Sequence, residues 1–145
     1  MMIRSMLVVG ALALGVGSVV AQSDPIATRK ATMKGVGEAN AEVTKISKGE
    51  APFNLAVVQN ALTKMQDAAK TMPGLFPDNS KTGGDTAAQP KIWEAKADFN
   101  AKWEKLGKEA AEAAGKIKDE ASFKAAYGDV TKNCGGCHES YRIRR

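Results

Sequence analysis

Along most of the chain, apolar residues recur at intervals of three and four, and nowhere do they alternate with polar ones as a half-buried strand requires. From about Asp24 to Lys48, the positions Ile26, Met33, Val36, Val43 and Ile46 fall on one side of a helical repeat. Asp24-Pro25 supplies an N-cap and a first-turn proline, and Gly49 an end. From about Asn54 to Thr71 the stripe is Leu55, Val58, Leu62, Met65, Ala69 and Met72, with Pro73-Gly74 expected to stop the helix. The polar stretch 77–89 predicts a loop. Pro90 then opens a third segment reaching about Gly115 through Ile92, Phe99, Trp103 and Leu106. A fourth begins near Asp119, another N-cap, and carries Phe123, Tyr127, Val130, Cys134, Cys137 and Tyr141 on one stripe. Four long helices, with short first and third links and a longer second one, predict an all-α antiparallel up-down four-helix bundle.

The N-terminus departs from this pattern. Arg4 precedes an unbroken apolar run from Leu7 to Val20 that ends in Val-Val-Ala, which predicts a signal peptide over 1–21 and one domain over 22–145. The run is shorter than the ~20 residues that span a bilayer, so no stable membrane anchor is expected and the protein is placed in the periplasm. The formal charge of +5 falls to +4 when Arg4 is removed. The basic residues are dispersed, clustering only at Arg142, Arg144 and Arg145, and no basic stripe is interleaved with aromatics. Nucleic acid is therefore excluded as a partner.

Chemistry concentrates at the other end. Cys134 and Cys137 are the only cysteines and His138 the only histidine, together forming Cys-x-x-Cys-His. In an exported protein such a pair can be a disulfide, a thiol-redox site, a metal clasp or a cofactor anchor. A disulfide between helical residues three apart is strained, a redox pair belongs beside a βαβ unit that is missing here, and zinc lacks a fourth ligand. One covalently bound haem c uses all three residues, with thioethers from Cys134 and Cys137 and an iron bond from His138. Gly135-Gly136 is read as leaving room for the macrocycle, and the cysteines, lying on the core stripe, are expected to face inward. No other histidine or paired acid accompanies the motif, so no enzyme is predicted.

Few residues follow His138, so the opposite iron face must be filled from upstream or left open. Beyond residue 21 the methionines are Met33, Met65 and Met72. Met65 and Met72 lie on a regular core stripe. Met33, between Arg29 and Gly37 and beside Gly35, is the candidate for the iron.

These residues bring the chain close to a known family. Arg29-Lys30-Ala31-Thr32-Met33, "KGEAPFN", "TGGDTAAQPKIW" and Cys134-x-x-Cys137-His138-x-x-x-Arg142 together resemble the class II cytochromes c, the cytochrome c′ and cytochrome c-556 group, some of whose members are type examples of the four-helix bundle. The resemblance implies that Arg29 approaches a haem propionate, that Arg142 lies beside the proximal face and that Phe76 flanks the distal pocket. In the c-556 branch a methionine from the Met33 region ligates iron, whereas in the c′ branch the iron is commonly five-coordinate and open to small gases. Two functions follow as expectations: an electron carrier working with a periplasmic redox partner protein, or a binder of nitric oxide or carbon monoxide. The family likeness also implies a homodimer through the first two helices.

Overall fold

The computed structural model describes residues 24–144. The proposed signal peptide, residues 22 and 23 and Arg145 lie outside the described residues. Four long α-helices form the expected bundle: α1 Pro25–Ser47, α2 Leu55–Thr71, α4 Lys96–Lys116 and α5 Glu120–Tyr141, with a short α3, Lys91–Glu94, before α4. Each start obeys local chemistry. Asp24 accepts from the Ile26 amide with Pro25 in the first turn, and Asn54 accepts from the Ala56 and Val57 amides. Asp119 and Ser122 close a reciprocal capping box at α5.

The predicted stripes are the buried faces. Val36, Val43, Val58, Leu62, Met65, Phe99, Phe123, Tyr127 and Val130 belong to one continuous core, in which α2 packs on both α1 and α4 and α4 packs on α5. Between α5 and α1, the Tyr127 hydroxyl donates to Asn40 Oδ1 at 2.9 Å.

The second segment ends where expected: α2 stops at Thr71, just before Pro73-Gly74, and the chain goes on as a 3-10 turn over Met72–Leu75 with Pro73 in its first turn, where the missing amide is not needed. Two expectations are corrected. The third segment is two helices. Ala95 leaves helical geometry (φ −123°, ψ 47°), and Trp93 Nε1 donates to the Phe76 carbonyl at 3.1 Å and the Pro77 carbonyl at 3.3 Å, tying α3 to the chain before the loop. The stretch 77–89 is also more than a loop. It holds a 3-10 turn at Asp78–Ser80, and its end is stitched to the end of α5 by Gln89 N–H to the Tyr141 carbonyl and Ile143 N–H to the Ala87 carbonyl. At its tip Gly84 has φ +54°, and an added Cβ would stand 2.9 Å from Ile26 Cγ2, so both conformation and space require glycine there.

Candidate functional site

A cavity of about 630 Å³ opens between α1, α4, α5 and the 77–89 stretch. Its α5 wall is built by the Cys-x-x-Cys-His segment. The helix runs unbroken through Gly135 and Gly136, so Cys134 and Cys137, three apart, present both thiols to the cavity, with His138 beside them. The thiols are half-buried and not bonded to each other. Burial pushes both thiol pKa values up. The half-buried His138 imidazole titrates below its ordinary value, chiefly through burial and secondly through the Arg142 charge. It is thereby favoured in the neutral form that can donate a lone pair to a metal.

Facing this wall from α1 are Met33, Val36, Gly37 and Asn40. Met33 is half-buried. Met65 and Met72 are buried in the core as their stripe predicts, yet they also line the cavity floor. Phe76 is buried on the same floor, packed edge-on against Phe99 with ring centroids 4.7 Å apart.

Arg29 is 5% exposed. It donates to the Leu75 carbonyl (2.9 Å), Ser80 Oγ (2.9 Å), the Ser80 carbonyl (3.0 Å) and Thr86 Oγ1 (3.3 Å), and its guanidinium carbon lies 4.4 Å from the Phe76 ring centroid. Burial lowers its pKa, against the opposing charge of Asp24. A solvated surface role is therefore ruled out for Arg29. Arg142, by contrast, is exposed at the cavity edge.

All seven residues singled out from the sequence, Arg29, Met33, Phe76, Cys134, Cys137, His138 and Arg142, border this one cavity. Gly135 and Gly136 are exposed, and no neighbouring protein atom lies within 4 Å of a Cβ built on either. Sequence reasoning missed Lys102, Trp103, Asn133 and the cavity-lining role of Phe99 and Tyr141. A helical stripe marks the two aromatics as inward-facing but cannot separate a cavity wall from a packed core.

The donor set fits a covalently held haem. The cavity lies within the ~300–1,000 Å³ of small-molecule sites, and its walls are mainly apolar and aromatic. Two thiols and an imidazole stand together on one helix. Among the described residues no cluster of three or more His, Cys, Asp or Glu side chains is placed to hold a bare metal ion.

Comparison with known proteins places the chain among relatives of matching length. The profile of the family described as Cytochrome C′ matches residues 24–142. The chain is 50% identical over 145 residues to a cytochrome c′ of Rhodopseudomonas palustris, covering 100% of this chain and 99% of that one. It is 37% identical over 145 residues to a cytochrome c-556 of the same organism, covering 97% of each. Among solved structures, cytochrome c′ from R. palustris aligns with a TM-score of 0.83 at 52% identity, covering 86% of this chain and 99% of that one. The NMR-validated structure of oxidised R. palustris cytochrome c556 aligns with a TM-score of 0.78 at 35% identity, with the same coverage.

Proposed function

The chain belongs to the cytochrome c′ family, and from that premise we propose that it is a periplasmic electron carrier with one haem c, anchored through Cys134 and Cys137. The observation that carries this reading is the convergence of two thiols, an imidazole and a buried guanidinium on a single cavity. When bound, the group supplies one-electron exchange between ferrous and ferric iron. The protein's share is placement. Cys134 and Cys137 would fix the group to α5, and His138 would offer its imidazole nitrogen to the iron. Arg29 supplies a fixed positive charge for a propionate carboxylate. Phe76 and Phe99 keep water from the inner wall, and Arg142 guards the outer edge. Met33, presented by α1, would offer its thioether sulfur to the iron as well, because histidine with methionine is a common ligand pair in electron-transfer haems. No residue is assigned a catalytic role.

Export rests on the 1–21 pattern. It agrees with the finding that no helix among the described residues is long and apolar enough to cross a membrane. The homodimer through α1 and α2 is carried over from the resemblance, and elution of the holoprotein as a monomer at micromolar concentration removes it.

A second reading, binding of nitric oxide or carbon monoxide with Met33 only shielding the iron, is favoured by the higher identity to the relative named cytochrome c′ than to the one named cytochrome c-556. Carbon monoxide added to the reduced holoprotein separates the two. The carrier reading expects little change in the Soret band until Met33→Leu is introduced. A ready shift in the unmodified protein overturns Met33 ligation and makes gas binding the better account.

A further inference from the structure

No neighbouring protein atom requires glycine at 135 or 136, and glycine is unfavourable within a helix. What the two glycines do create is bare helix backbone on the outer surface of α5, between the two cysteines. Gly136 borders a second depression, of about 440 Å³, on the α4–α5 face. This depression shares Lys102, Asn133 and Cys137 with the main cavity, so it reaches the attachment segment from outside.

Its charge is ordered. Glu109 is engaged by Lys105 at 3.7 Å and by Asn133 Nδ2 at 2.5 Å, and Asp129 by Lys132 at 2.7 Å. Lys102 also borders the depression, and its own ion-pair partner, Asp98 at 4.0 Å, does not. Among the residues that line it, three lysines stand against two acids.

We propose that this α4–α5 depression, lined by Gly136 and Cys137 together with Lys102, Lys105 and Lys132, is the docking surface through which electrons enter and leave. The partner it fits is a protein presenting a carboxylate-rich protrusion. The inference rests on the electron-carrier reading and deepens it. A side chain at 135 or 136 would hold the partner away from the helix, and the lysines steer a negatively charged partner towards it. An anionic bilayer fits less well, since Ile143 is the sole large apolar side chain exposed among the described residues and lies outside the depression.

The test is the rate at which reduced holoprotein gives one electron to ferricyanide, forming ferrocyanide and oxidised holoprotein. Position 136 accepts a side chain without a clash, so Gly136→Glu, Gly136→Gln and Gly136→Lys all keep the helix. At ~10 mM ionic strength Gly136→Glu is expected to react about tenfold more slowly than Gly136→Gln, and Gly136→Lys at least as fast, with the differences closing at high salt. Lys118→Gln, in the turn before the opposite end of α5, lowers the net charge by one and is expected to change the rate by less than about twofold. As a readout independent of electron transfer, a deca-glutamate peptide is expected to shift the amide resonances of 102–109 and 129–137 in the holoprotein and not in Gly136→Glu. Equal rates for Gly136→Glu and Gly136→Gln, with peptide shifts elsewhere, overturn the surface and leave the carrier reading standing. Binding to phosphatidylglycerol vesicles that Gly136→Glu abolishes, without any change in the ferricyanide rate, replaces the protein partner with a membrane. A reduced holoprotein that gives no electron to ferricyanide overturns the carrier reading and this inference together.

Discussion

A guanidinium taken out of water keeps its charge only where other oxygens replace the solvent, and for Arg29 those oxygens come from Leu75, Ser80 and Thr86. Methionine has similar length but no donors. Arg29→Met is therefore expected to strand these acceptors and lower stability by about 2–4 kcal/mol, measured by urea unfolding of the holoprotein. A loss well below 1 kcal/mol would show that water replaces the guanidinium easily. Spacing places Arg29 on the stripe of Ile26, Met33 and Val36, so an inward position was readable. The tolerance of a charge there was not, because its acceptors lie 46 to 57 positions downstream and no local pattern carries them. The tyrosines give a pH signature. Burial, with the bond from the Tyr141 hydroxyl to Asp98, pushes the Tyr141 pKa up to about 12, and burial raises Tyr127 as well. An unfolded tyrosine ionises near ~10, so between these values the unfolded chain binds fewer protons than the folded one. Stability from this source is complete below about pH 10 and is lost as pH rises towards 12. Urea midpoints measured at rising alkaline pH are expected to fall, and less steeply in Tyr141→Phe.

Helix α4 meets α2 at a glycine. A Cβ on Gly107 would lie 2.9 Å from Ala69 Cβ, so the two backbones approach more closely here than two alanines allow. Gly107→Ala is expected to cost about 1–3 kcal/mol through overpacking, against the ~1 kcal/mol that alanine gains in a helix. Adding Ala69→Gly is expected to recover most of the loss in thermal unfolding, whereas a destabilisation that persists would place its origin elsewhere. The contact was invisible in the sequence, where Gly107 interrupts a periodic segment and Ala69 reads as one more core position. Helix starts were legible, since Asp24, Asn54 and Asp119 cap within two or three residues of themselves. The break at Ala95 was not, because what holds α3 apart is the bond of Trp93 to carbonyls at 76 and 77, across the whole loop.

For the whole molecule, the bundle and its site were legible to different depths. Periodicity sufficed for four amphipathic helices, and the fourth carried the attachment motif on its inward stripe. The cavity itself depends on how α1 and the 77–89 stretch close over α5, which no helical pattern describes. The residues taken from the attachment motif, from Met33 and from the family resemblance nevertheless meet around it. The central claim is that Cys134 and Cys137 hold a haem through bonds that survive unfolding. Extraction of the mature, denatured holoprotein with acidified organic solvent tests it most directly. The account predicts that the haem absorbance stays with the polypeptide, and that Cys134→Ala with Cys137→Ala releases it into the solvent. Haem that leaves the unmodified protein, or remains with the double variant, would contradict the account.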